Sequence, residues 1–141
     1  MFKGFRIAAS GMSAQRVRLN IVSSNLANAS TTQTKEGGPY KRREPVFSTT
    51  LQSAADPNKN PGEAALRGVQ VMDVNLDESE GQMIYDPNHP DADEEGRVRM
   101  PNVNVVEEMV DMIGASRSFE ANVQAFQALK DMTNRAMDIG R

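Results

Sequence analysis

The chain has 141 residues, 38% of them hydrophobic, a net charge of −3 and no cysteine. One domain of ordinary size fits that length, disulfides, thiol chemistry and Cys-based zinc sites are excluded, and the low net charge argues against full disorder. Residues 1–43 hold eight basic residues and one acidic one, whereas 44–141 hold eight basic and eighteen acidic ones; without interleaved stacking aromatics, the basic part suits the acidic part of a neighbouring copy better than nucleic acid.

The first element is a helix over about residues 4–28. Phe5, Ala8, Met12, Leu19, Val22 and Leu26 follow alternating steps of three and four, with Gln15 the polar exception. That is a heptad stripe. Ile7, Ala14 and Ile21 form a second stripe beside it. A helix of this extent is roughly 37 Å long. Ala27–Thr32, "ANASTT", breaks the periodicity and reads as the helix end. The acid-free N-terminus has the charge of a transit peptide, but its packing pattern is sustained, and Arg6 interrupts any secretory apolar run.

The middle of the chain changes character. "GGPYKRREPVFSTTLQ" and "RGVQVMDVNL" are rich in β-branched and aromatic residues and read as strands. Val69 and Val71 share one phase, Val74 and Leu76 the other, which predicts a bulge near Met72–Asp73. Between these runs, Ser53–Ala65 is a polar Pro/Gly segment and reads as a mobile loop. "GQMIY" and "RVRM" are two further short strands.

The last element is a second helix of about 37 residues, roughly 55 Å long. Pro101 opens it, and Asn102 or Asn104 is its cap. Val105, Met109, Met112, Phe119, Val123 and Phe126 form one stripe, with Ser116 as the gap. Ala125, Leu129, Met132, Ala136 and Ile139 form another, offset from it. Gly114, mid-helix in "MIGASRS", either permits close approach or a bend, or is a tolerated weak point.

The fold class that follows is α+β. Long terminal helices (residues 1–30 and 101–141) pair in a coiled-coil-like domain, and residues 31–100 form a small antiparallel β region between them. Leu, Ile, Val and Phe total only 28 residues and Trp is absent, so such a domain has little core of its own. A helical hairpin leaves the second stripes exposed, and exposed apolar patches of that size mark partner surfaces. Nine Met residues suit such adaptable surfaces.

Candidate chemistry fails on inspection. In Asp91–Gly96, "DADEEG", Asp91, Asp93, Glu95 and Gly96 fit positions one, three, five and six of a calcium loop. The twelfth position, which requires a bidentate Glu, is Asn102, and Arg97 and Arg99 oppose a cation. The one histidine, His89, lies between Asn88 and Pro90 with no second His to share a metal. No nucleophile elbow, phosphate loop or dinucleotide fingerprint occurs, and no cofactor is expected. The plain reading of Asp91, Asp93, Glu94 and Glu95 is a turn-rich contact loop, solvated or paired with Arg42 and Arg43 within or between chains. No stretch approaches the roughly 20 apolar residues of a membrane span.

Two segments resemble a known family. Ala8–Thr32, "AASGMSAQRVRLNIVSSNLANASTT", is similar to the N-terminal motif shared by flagellar rod and hook proteins. Ser116–Met132, "SRSFEANVQAFQALKDM", is similar to their C-terminal motif. "EGGPYKRREPVF" and "YDPNHPDADEEGRVRMPNVNVVEEMVDMI" resemble proximal-rod members in particular, with Arg97 standing where they carry an aromatic residue. The resemblance implies a structural subunit of the flagellar basal body. Its terminal helices would line an axial channel with the β region outside. Copies would stack helically with the rod proteins FlgB, FlgF and FlgG and the adaptor FliE into a periplasm-spanning shaft that transmits torque. The resemblance also implies passage through the flagellar type III export apparatus without a cleaved signal. The alternative is a non-polymerising coiled-coil adaptor of that apparatus.

Overall fold

The computed structural model describes residues 2–50 and 68–139. The loop expected over Ser53–Ala65 lies outside them. The described residues form six elements in order: α1 (Phe2–Ala27), β1 (Arg43–Thr50), β2 (Gly68–Leu76), β3 (Met83–Tyr85), β4 (Arg97–Arg99) and α2 (Val105–Ile139).

α2 has the local signals of a stable helix. Asn104 caps it, its side-chain Oδ1 accepting the Val106 N–H at 3.1 Å. Glu107 and Glu108 place negative charge in the first turn, where the helix dipole favours it. Asn102, the other expected cap, serves elsewhere: its amide donates to the Asp77 carbonyl at 2.9 Å and its Oδ1 accepts from the Arg42 N–H. α1 has the opposite signals, with no acid in its first turn and no base in its last. Lys3 and Arg6 stand near its positive end, so α1 is held mainly by packing. Its last turn closes at the Ser24 carbonyl, which accepts both the Asn28 N–H at 3.1 Å and the Asn28 side-chain amide at 2.8 Å.

The two helices pair antiparallel in one register. A Cβ on Gly4 would meet Leu129 at 3.1 Å, and one on Gly11 would meet Asn122 at 2.7 Å. Asn25 reaches Glu108. Each step along α1 is therefore matched by an equal step back along α2. Phe5 and Phe126 stack edge to face with centroids 4.9 Å apart, a favoured aromatic geometry. Gly4 and Gly11 are the close-approach residues. A Cβ on Gly114 would meet nothing within 4 Å, so of the readings open for it close approach drops out.

β1 and β2 form an antiparallel ribbon lying against α1, tied to it where the Val69 N–H donates to Ser10 Oγ at 3.2 Å. Val46 pairs with Asp73 and Phe47 with Val71, which leaves Met72 as the extra residue of a bulge. The phase change in the sequence located it. β3 and β4 form a separate two-stranded sheet, pairing Ile84 with Val98, and Val98 is buried.

Among the described residues the buried hydrophobic side chains are few: Ala8, Ala14, Val22, Tyr40, Val98 and Ala115. The largest fully buried side chains among the described residues are polar, Glu108 and Asn25, with 0% and 1% exposure.

Candidate functional site

The buried pair sits where α1, the start of β1 and the start of α2 meet. Asn25 makes all four hydrogen bonds its amide allows. Its Nδ2 donates to the Arg43 carbonyl at 2.9 Å and to Glu108 Oε2 at 3.1 Å; its Oδ1 accepts from Tyr40 OH and from the Arg43 N–H, both at 3.0 Å. Glu108 Oε1 accepts from Arg42 Nε at 2.5 Å. Arg42 also pairs with Glu44, while Arg18 Nη2 reaches Asp111 at 2.7 Å. Burial works to lower the Arg42 pKa, but the adjoining Glu108 and Glu44 carboxylates outweigh it and raise the pKa.

This junction displaces part of the expected stripe. Met112, Phe119, Val123, Phe126 and Leu129 are half-buried, as are Phe5, Met12, Leu19 and Leu26, and Val22 is buried. The line drawn through Val105 and Met109, however, does not follow the buried seam, which passes through Glu108 and Ala115. Hydrophobicity counting assigns the seam to apolar residues, whereas Arg42 and Asn25 stabilise a carboxylate in it. Val105, Met109 and Met132 are exposed, and the side chain of Ile139 lies outside the description.

Val106, Met109, Val110 and Ile113 stand between 52% and 68% exposed. At spacings of three and four they share one face of the first turns of α2, away from Glu108. Of these, sequence reading selected only Met109. The signal for the others was the run "VVEEMVDMI", which is apolar on more than one helical phase.

The acidic loop is organised locally, and Arg42 and Arg43 do not answer it within the chain. Arg42 turns to Glu108, and Arg43 lies over the Tyr40 ring at 5.8 Å. Asp91 accepts from Thr32 Oγ1 at 2.6 Å, and the Asp91 N–H donates to His89 Nδ1 at 3.1 Å. Asp93 Oδ1 accepts the N–H groups of Glu95 and Arg97 at 3.0 and 2.7 Å. Arg97 pairs back to Asp93 and Glu95, while Glu94 is exposed. Hydrogen bonding from the Arg97 N–H, then that of Glu95, and the Arg97 charge hold the Asp93 pKa below its usual value. Among the described residues no three His, Asp or Glu side chains are grouped to hold a metal. None of the described helices is long and apolar enough to cross a membrane.

Comparison with known proteins gives these surfaces a context. The family model "Flagella basal body rod protein" matches residues 5–33, which span most of α1. "Flagellar basal body rod FlgEFG protein C-terminal" matches residues 94–139, from the acidic loop to the end of α2. The chain is 41% identical to flagellar basal-body rod protein FlgC of Bacillus subtilis, over 99% of this chain and 98% of that one. The FlgC protein of Borreliella burgdorferi is 39% identical over 99% and 97% of the two chains. That of Escherichia coli O157:H7 is 41% identical over 97% and 96%. The chain belongs to the FlgC family of flagellar basal-body rod proteins, and it is a structural component of the flagellar axis, not an enzyme.

Proposed function

We propose that the chain is a subunit of the proximal rod, assembling helically with copies of itself and with FlgB, FlgF, FlgG and the adaptor FliE into the shaft that carries torque through the periplasm. It reaches that position through the flagellar type III export apparatus without losing a signal peptide. The observation that carries this reading is the open apolar face of α2, Val106, Met109, Val110 and Ile113. A monomer gains nothing from four such side chains in water, whereas a neighbouring subunit buries them at about 25 cal/mol per Å². The stripe residues Phe5, Met12, Leu19, Val22, Leu26, Met112, Phe119, Val123, Phe126 and Leu129 hold the hairpin that presents this face. Val105, Met132 and Ile139 extend the contact, and Asp91, Asp93, Glu94 and Glu95 supply an acidic rim.

The test is to replace Val106, Val110 and Ile113 with Ser together. The subunit keeps its helicity, because these side chains are already in water, and cells carrying it lose swimming and lack rods in their basal bodies. Full motility of the triple variant would sink the reading. Absence of the native chain from purified basal bodies would favour the export-adaptor alternative.

A further inference from the structure

The seam of the helical hairpin repeats every seven residues. Along α1 it passes Gly4, Gly11, position 18 and Asn25, and along α2 it passes Leu129, Asn122, Ala115 and Glu108. A seven-residue repeat fits onto itself again after a shift of seven. In one such shifted pairing Gly4 faces Asn122, Gly11 faces Ala115 and Arg18 faces Glu108. Gly4 and Gly11 then meet polar or small residues and the buried carboxylate finds a cation, while at the far end of the hairpin Leu129 and Phe126 lose Gly4 and Phe5. Apolar packing therefore opposes this slip mainly at the Phe126–Leu129 end of the seam.

At the other end, what separates the two pairings is the polar junction. In the observed register Asn25 makes four hydrogen bonds and Glu108 is bonded to both Asn25 and Arg42. In the shifted register Asn25 falls opposite Pro101, ahead of the first turn of α2, and its bonds to Glu108 and the β1 entry are lost. Buried polar groups left unpaired are costly, and their best-attested use in helical pairs is to fix register. We propose that Asn25, Arg42 and Glu108 are register-setting residues, which exclude the pairing of α1 and α2 displaced by seven residues. Arg18, now bound to Asp111, is the cation that would serve Glu108 in the displaced form.

The cysteine-free chain allows a direct measurement. Asn20→Cys and Gln124→Cys place spin labels at exposed sites on the two helices, and dipolar spectroscopy reads their separation. With the junction intact, a single distance is expected. In Asn25→Leu/Arg42→Met the distance lengthens, since a seven-residue slip towards the Arg18–Glu108 pairing moves the helices about 10 Å along their axes. Adding Glu108→Leu removes the charge that selects between registers, and two distances appear. If the double variant does not fold, the triple variant alone decides, because it leaves no unpaired charge buried. A single native distance in the folded triple variant overturns the proposal. So does loss of helix in it, which would mean that the junction supplies folding rather than register.

Discussion

Glu108 and Asp93 are both hydrogen-bonded carboxylates, yet their surroundings give them different roles. Glu108 is fully buried, so its charge is tolerated only through Arg42, Asn25 and the adjacent helix N-terminus. Arg42→Ala leaves that charge unpaired in the interior. A loss of about 3–5 kcal/mol is expected, read from urea unfolding followed by helical circular dichroism. Asp93 is at the surface and organises a turn through the backbone N–H groups of Glu95 and Arg97. Its folded pKa is depressed, so its contribution is present above the ordinary carboxylate value. That contribution is lost as pH falls through the lower folded value. The Glu95 and Arg97 amides are expected to titrate together below the usual carboxylate range, and in Asp93→Ala to lose their exchange protection without melting the helices. Glu108 was illegible in the sequence because its partner lies 66 positions away. The turn was legible because its acceptor and donors are neighbours.

The two helices divide their stability unequally. α2 is capped and correctly charged at its start, whereas α1 begins with bases near its positive end and depends on the seam. Gly11 and Gly114 separate these contributions. A Cβ at Gly11 meets the Asn122 amide at 2.7 Å, and that amide is held by its own bond to the Ser118 carbonyl. Gly11→Ala should cost about 1–3 kcal/mol through overpacking, while Gly114→Ala, with open space around it, should gain up to about 1 kcal/mol of helix propensity. Thermal midpoints moving in opposite directions would bear this out; equal shifts would not. Sequence reading singled out Gly114 because it interrupts a helix. It passed over Gly4 and Gly11 because their meaning depends on Leu129 and Asn122 in the other helix. The strands were legible from their alternation, and Met72 from the phase break, but the division into two separate sheets was not. Nothing in four short β runs says which of them pair.

Across the whole molecule, the uneven charge of the chain is partly used inside it. Arg18 and Arg42 from the basic third meet Asp111, Glu108 and Glu44 from the acidic remainder. Lys3, Arg6 and Arg16 remain exposed on α1, as does the apolar face of α2. The same connectivity governs how the chain folds. Asn25 and Glu108 are 83 positions apart, and closing so long a loop costs entropy before the helical contacts repay it. The β1–β2 and β3–β4 ribbons lie within that interval and shorten the effective loop, so they are expected to precede helix closure. Ile84→Ala, which loosens the β3–β4 pair, should therefore slow refolding in stopped-flow measurements. Phe126→Ala, at the far end of the hairpin, should instead leave refolding nearly unchanged and accelerate unfolding. A subunit that zips from its β region outward has its free helix ends as the last part to form and the first to open.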